Sequence, residues 1–316
     1  MKLDFIIPAS PIPAFFSQIA MFRRSLDRLG GFYRDARLVA VFGDSIRTPL
    51  PVAWRPHFER IDVAWADPAE FARSSYRAQG AYRFEVMRPD ADIAILCDAD
   101  TIMMRPFGRE VLDIAGTDAI GGVIAHSHFP WPGRSKDTAA DWNAISTAVT
   151  GAGIPTPYHY VLPKAGEPGA CPFYINFGFM AGRPGALLAM NAVFEELRPK
   201  VMEQVQNYFD AQVTFALAVH RGGIPVVALP MRYNFPNEPV ADQRYPLERD
   251  AICLLHYQRR ALYDRHLIFS SRTHFDAFLA MELEGGSRDF QRLVHDLTDG
   301  EFPFPDDGVH MPAGEY

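Results

Sequence analysis

Residues 93–97, Ile-Ala-Ile-Leu-Cys, are apolar without a break, and the acidic triplet Asp98-Ala99-Asp100 follows directly. A run with no polar alternation suits a strand buried on both faces, as in a parallel sheet covered by helices. The segments "LDFIIP" (3–8), "ARLVAVFG" (36–43), "RIDVAW" (60–65) and "AIGGVIA" (119–125) are further β-rich runs bounded by Pro, Gly and polar residues. Between the first two, Phe15, Ile19, Phe22, Leu26 and Leu29 recur at helical spacing, with Pro13 near the start and Gly30-Gly31 as the stop. "DPAE" opens another helix, with Asp67 as N-cap and Glu70 completing a capping box, and that helix should end before Pro89. Strand and helix in alternation predict an α/β fold with a largely parallel sheet.

The triplet Asp-Ala-Asp occurs twice, at 90–92 and at 98–100, once at each end of the apolar run. At about 3.3 Å per residue the copies stand roughly 17 Å apart. Ligands of open α/β sheets bind outside the carboxyl ends of the strands. That rule selects Asp98 and Asp100 and leaves Asp90 and Asp92 as residues of an entry turn. Alternation in an extended segment sends Asp98 and Asp100 to the same side. Two carboxylates there suit a hard cation such as Mg²⁺ or Mn²⁺, which fills its other positions with phosphate oxygens and water. The sheet-end rule also places a nucleotide base against Pro8, Ala9 and Ser10, with Asp44 available to a ribose or base.

Charge and composition narrow the partners. The formal net charge is −7 with both signs interspersed. Nucleic acid and anionic membranes are therefore not expected as main partners. Three separated cysteines, Cys97, Cys171 and Cys253, lie in apolar or Pro-flanked settings, which predicts buried reduced thiols and a cytoplasmic location. The apolar run in "MKLDFIIPAS" is too short for a signal peptide, and no run approaches the ~18 apolar residues of a membrane span.

From 126 to about 172 the pattern breaks into a Pro-, Gly- and aromatic-rich segment, expected to be an ordered functional loop. Regularity returns with "FYINFGFMAG" (173–182), a helical region from Pro184 to about His220 interrupted near Pro199, the strand "IPVVALP" (224–230) and "ICLLHYQRR" (252–260). Two modest helices should follow, then a mobile Pro- and acid-rich end.

"AILCDADTIMMRPF" resembles the Asp-x-Asp segment of GT-A-fold glycosyltransferases, and later segments fall in the order of glycosyltransferase family 8. "YINFGFMAG" is similar to that family's Asn-x-Gly strand through Asn176 and Gly178, and "FDAQVTFALAV" to its acidic/Gln segment through Asp210 and Gln212. "LPMRYNF" matches its Leu-Pro…Asn-Phe stretch through Asn234, "LLHYQRR" its late His segment through His256, and "AYRF" its Tyr-x-Arg element through Arg83. The resemblance implies a GT-A-type, Rossmann-like, mixed but mostly parallel sheet in one catalytic domain over 1–265. That domain divides into a nucleotide-binding half (1–125), an acceptor-side insertion (126–172) and the remaining sheet with the His segment (173–265); residues 266–316 form a C-terminal extension. It implies transfer of a sugar from a nucleotide-diphosphate sugar, UDP-linked, to a saccharide or other hydroxyl acceptor.

The implied metal ligands are Asp98, Asp100 and His256, with His256 favouring Mn²⁺ over Mg²⁺. Asp98 could also bond the ribose, Arg83 the nucleotide or diphosphate, and Asn176 the donor sugar. An inverting transfer needs a carboxylate base on the acceptor, for which Asp210 is the candidate. A retaining transfer, which the resemblance implies, needs a polar group near the β-face of the donor sugar, for which Gln212 is the candidate. Trp131, Trp142, Tyr158 and His159 offer flat faces to an acceptor sugar. The family's His segment continues into Gly and then Lys-Pro-Trp; "HYQRRALYDRH" has neither, and Arg259 or Arg260 are the candidates to replace the lysine at the diphosphate. That departure keeps open a non-catalytic sugar-nucleotide binder on the same fold. A sugar-1-phosphate nucleotidylyltransferase is disfavoured, because "PASPIPAFFSQIA" lacks a Gly-rich basic loop.

Overall fold

The computed structural model describes residues 1–74, 83–133, 135, 137–163, 169–258 and 262–306. Its first elements follow the sequence pattern: β1 (Leu3–Ala9), α1 (Pro13–Leu29), β2 (Arg37–Phe42), β3 (Asp62–Trp65), α2 (Pro68–Ser74) and β4 (Ile93–Leu96). Helix α1 carries Pro in its first turn and ends at Gly30, whose φ of 69° suits a residue without Cβ. Asp67 caps α2 by accepting from the backbone N–H groups of Ala69 (2.9 Å) and Glu70 (3.1 Å).

The chain continues through β5 (Thr101–Met103), β6 (Ile120–Ile124), α3 (Thr138–Thr150), β7 (Tyr158–His159), β8 (Ala170–Cys171) and β9 (Ile175–Gly182). Then come α4 (Pro184–Val205), α5 (Asp210–Arg221), β10 (Val226–Ala228), β11 (Phe235–Pro236), β12 (Leu254–His256), α6 (Arg272–Leu279) and α7 (Gly285–Thr298). Seven strands form one sheet in the order β10-β6-β9-β4-β1-β2-β3. All neighbours run parallel except β9, which is antiparallel to both β4 and β6.

Both faces of this sheet are covered, as the unbroken apolar runs require. Phe5 and Ile7 of β1 join Ile93 and Ile95 of β4 in one buried cluster with Phe16, Phe22 and Trp54. The alternate residues, Ile6, Ala94 and Leu96, enter a second cluster with Trp142, Tyr174, Met190 and Leu217. A smaller sheet, β11-β12-β5, adjoins the first, and β7 pairs with β8.

Three expectations change. The 126–172 insertion holds the thirteen-residue helix α3, capped by Asp137, which accepts from the N–H groups of Ala139 and Ala140, and closed by Gly151 at φ 80°. The helical region is not interrupted at Pro199, which lies inside α4; it breaks at Gln206, where φ is 55°. Proline forfeits one backbone bond, yet buried Leu197 and Val201 on either side hold the helix to the core. Phe302 and Phe304, at the start of the stretch expected to be mobile, are packed and buried; the rest of that stretch, 307–316, lies outside the described residues. Among the described residues, no helix is long and apolar enough to cross a membrane.

Candidate functional site

Two sheet edges meet where β4 ends. Strand β1 pairs with β4 in parallel register, Ile6 against Leu96, so Pro8 and Ala9, the last residues of β1, and Ser10 after them lie at the edge from which Asp98 and Asp100 emerge. Strand β9 pairs antiparallel, Leu96 against Met180; two residues further the same register brings Gly178 level with Asp98. The small sheet supplies the rest. His256 pairs with Thr101 across β12 and β5, and the Tyr257 N–H donates to the Asp100 carbonyl at 2.9 Å. Strand β11 lies beside β12, with Pro236 against His256, which carries Asn234 in alongside.

Asp98, Asp100 and His256 each offer one ligand atom, and these atoms lie within 4.8 Å of one another. A chain of side-chain hydrogen bonds supports them. Asn234 Nδ2 donates to Asn176 Oδ1 at 3.0 Å, and Asn176 Oδ1 also accepts from the Gly178 N–H at 2.8 Å. With its amide so oriented, Asn234 turns Oδ1 towards His256 Nδ1 at 3.0 Å, which makes Nδ1 the proton-bearing nitrogen. His256 Nε2 then points its lone pair at Asp100 Oδ1, 3.2 Å away. Two electron-pair donors facing each other need a proton or a cation between them. The two carboxylates and the imidazole therefore fit a divalent metal such as Mn²⁺ or Mg²⁺.

Charge around the cluster is strongly patterned. Arg265 Nη1 lies 2.6 Å from Asp100 Oδ2, and Arg83 Nη2 lies 3.6 Å from Asp98 Oδ1. Burial pushes both carboxyls upward, but they end on opposite sides of the usual range. At Asp98 burial outweighs Arg83 and a protonated His256 and the pKa is raised; at Asp100 a His256 that carries the intervening proton, together with Arg265, overcomes burial and holds it well below the usual carboxylate range. Arg83 is 3% exposed and sits over the Phe177 ring. Its Nε and Nη1 are buried without a hydrogen-bond partner among the described residues.

The remaining sequence candidates separate. Asp90 pairs with the Lys2 side chain at 2.6 Å and Asp92 accepts from the Lys2 backbone N–H at 2.7 Å, at the opposite end of β4 from Asp98. Asp44 follows β2, half-buried, with its carboxylate on the Ser45 N–H. Asp210 and Gln212 lie in the first turn of α5, Asp210 buried and Gln212 partly exposed. Phe215 of that helix packs on Phe177, the ring beneath Arg83. Trp142 is fully buried, its Nε1 donating to the Tyr160 hydroxyl at 2.9 Å and its ring against Phe129 and Tyr174, so it cannot offer a face to an acceptor. Trp131 and Tyr158 are partly exposed and His159 is exposed. Arg259 and Arg260 lie outside the described residues. The charge that reaches the cluster is Arg265, nine residues past His256 and marked by no motif.

No family model matches the chain, and no curated relative matches it at the sequence level. Solved structures do. The galactosyltransferase LgtC in complex with donor and acceptor sugar analogues aligns at a TM-score of 0.52 and 14% identity, over 96% of this chain and 98% of that one. An active-site mutant of LgtC aligns at 0.55 and 15%, with the same coverage. The bifunctional glycosyltransferase WbbM aligns at 0.54 and 10% over 93% of this chain, which spans about half (49%) of WbbM. At these identities the likeness speaks to architecture: the mixed, mostly parallel sheet flanked by helices is the GT-A fold shared with these glycosyltransferases.

Proposed function

We propose that this protein is a metal-dependent glycosyltransferase that moves a sugar from a nucleotide-diphosphate sugar to a hydroxyl acceptor. The carrying observation is the Asp98–Asp100–His256 cluster, oriented by Asn234 and Asn176 at the carboxyl edge of a GT-A sheet. Asp98, Asp100 and His256 would hold the metal, and a divalent ion there supplies Lewis-acid stabilisation to the diphosphate leaving group. Arg83, whose Nη2 lies 3.6 Å from Asp98 Oδ1 and whose Nε and Nη1 lack a partner among the described residues, would pair with the same anion. Pro8, Ala9 and Ser10 form the floor for the base, and Asp98 is within reach of the ribose from the same edge.

The motif order favours a UDP-sugar and a retaining transfer. Gln212, with Asn176, would then contact the donor sugar, and Asp210 is a buried carboxylate at a helix N-terminus, where the backbone dipole favours its charge. Trp131 and Tyr158 are the aromatic faces left for the acceptor.

A thermal-shift panel of UDP-, GDP- and CDP-sugars with and without Mn²⁺ tests the reading. At least one nucleotide sugar should raise the melting temperature only when metal is present. Asp100→Ala should abolish that dependence and Asp90→Ala should keep it. Equal effects of the two substitutions, or no metal-dependent shift with any donor, would sink the proposal. Slow metal-dependent hydrolysis of the stabilising sugar nucleotide separates an enzyme from a binding protein.

A further inference from the structure

Arg265 stands on the cluster itself, with Nη1 at 2.6 Å from Asp100 Oδ2, while Arg83 engages Asp98 from the other side. Two carboxylates thus meet two guanidiniums, and with the His256 imidazole neutral, as a metal ligand must be, these four charges balance. Sites that bind divalent cations unaided leave several ligand charges uncompensated, since charge count tunes their affinity. A metal ion arriving alone at this one would add two unbalanced positive charges beside a guanidinium in contact with its own ligand.

The two arginines are held very differently. Arg83 is 3% exposed and covered by Phe177. The Arg265 side chain is 23% exposed, and its other contacts are neutral: Nη1 to the Gln258 carbonyl at 2.9 Å and Nε to His266 Nε2 at 3.3 Å. Arg265 can therefore leave Asp100 without stranding a charge in the core, because its side chain is already partly exposed. Asp100 would be left uncompensated unless another cation took its place.

We infer that Arg265 is an exchangeable counter-cation, holding Asp100 in the empty site and moving onto the diphosphate when metal and diphosphate enter together. The inference rests on the metal–diphosphate reading above. Charge bookkeeping supports it: two carboxylates and two arginines sum to zero, and a dication plus the doubly charged diphosphate of a sugar nucleotide again adds zero. Either partner alone leaves the site two charges out of balance. The metal and the diphosphate are thereby coupled, each favouring the other's entry, with Arg265 exchanging one carboxylate for a phosphate oxygen.

Isothermal titration of the full chain with Mn²⁺, alone and with saturating symmetric dimethyl pyrophosphate, reads this coupling without depending on the base or the sugar. That diester carries the same two charges as the diphosphate of a sugar nucleotide, and Mn²⁺ binding by the diester alone is measured and subtracted. Wild-type protein should bind Mn²⁺ at least about ten-fold more tightly with the diester than without it. Arg265→Gln, which keeps a donor for the Gln258 carbonyl but removes the charge, should bind Mn²⁺ alone about ten-fold more tightly than wild type and lose most of the diester's enhancement. Arg265→Lys should retain the wild-type pattern. A folded Arg265→Gln that binds Mn²⁺ alone no more tightly than wild type overturns the exchange while leaving the metal site standing. Wild-type affinity for Mn²⁺ that the diester leaves unchanged overturns it too, whether or not the variant folds. If neither protein binds Mn²⁺ under any condition, the metal–diphosphate reading fails first and takes the inference with it.

Discussion

A Cβ at position 178 would fall on His256 Nδ1 and lie 2.5 Å from Asn234 Oδ1, so the hydrogen bond that fixes the imidazole exists only because residue 178 is glycine. Gly178→Ala should push the His256 ring off its partner, lowering Mn²⁺ affinity about 10- to 100-fold, the usual effect of losing an orienting partner, and costing about 1–3 kcal/mol of stability through overpacking. Titration calorimetry and urea unfolding read the two separately; Mn²⁺ affinity equal to wild type would show that Asn234 does not orient the ligand. At this scale the sequence was legible where chemistry and spacing coincide. Asp98 and Asp100 follow a buried run, and Asn176, Asn234 and His256 recur in a familiar order. Arg265 was illegible, since it arrives from an irregular segment with no spacing to mark it. Trp142 misled for a different reason: an indole in an aromatic-rich segment reads alike whether it faces a ligand or closes a core, and only its burial decides.

Helix α4 and the turn after it show how packing overrides a local signal. Pro199 reads as a breaker, yet the helix runs through it from Pro184 to Val205 and stops where Gln206 takes a left-handed conformation, φ 55° and ψ 28°. Nothing in a glutamine announces that geometry, which costs about 1 kcal/mol for a residue with a Cβ. Gln206 is exposed and bonds only locally, Nε2 to the Glu203 carbonyl at 3.1 Å. Gln206→Gly should therefore stabilise the protein slightly, by up to about 0.6 kcal/mol, after the extra freedom glycine gives the unfolded chain is set against the relieved strain. A rise in the urea midpoint with unchanged slope is the expected record, and a lower midpoint would contradict it. Helix α3 was missed by the converse error. Its Asp137 cap and Gly151 stop were in plain view, but proline and glycine on both flanks gave the whole 126–172 segment the composition of a loop.

The alternation of strands and helices declared the sheet, because each β-run is long enough and apolar enough to need cover on both faces. What composition could not show is how residues 266–306 join it. An aromatic series ties Phe304 to the first elements of the fold: Phe304 stacks on Trp54 at 5.4 Å, Trp54 meets Phe16 of α1 at 5.4 Å, and Phe16 meets Phe42 of β2 at 5.4 Å. On the other side Tyr257, next to the candidate site residue His256, stacks on Phe290 of α7 at 4.3 Å. Residues 266–306 thus share the buried cluster on one face of the main sheet, and we expect them to unfold with it as a single cooperative unit. Phe304→Ala should cost about 3 kcal/mol, in the range for truncating a buried phenylalanine. It should also lower the midpoints of far-UV circular dichroism and tryptophan fluorescence by the same amount. A fluorescence transition that moves while the dichroism midpoint stays in place would instead make the C-terminal segment an appendage that melts on its own.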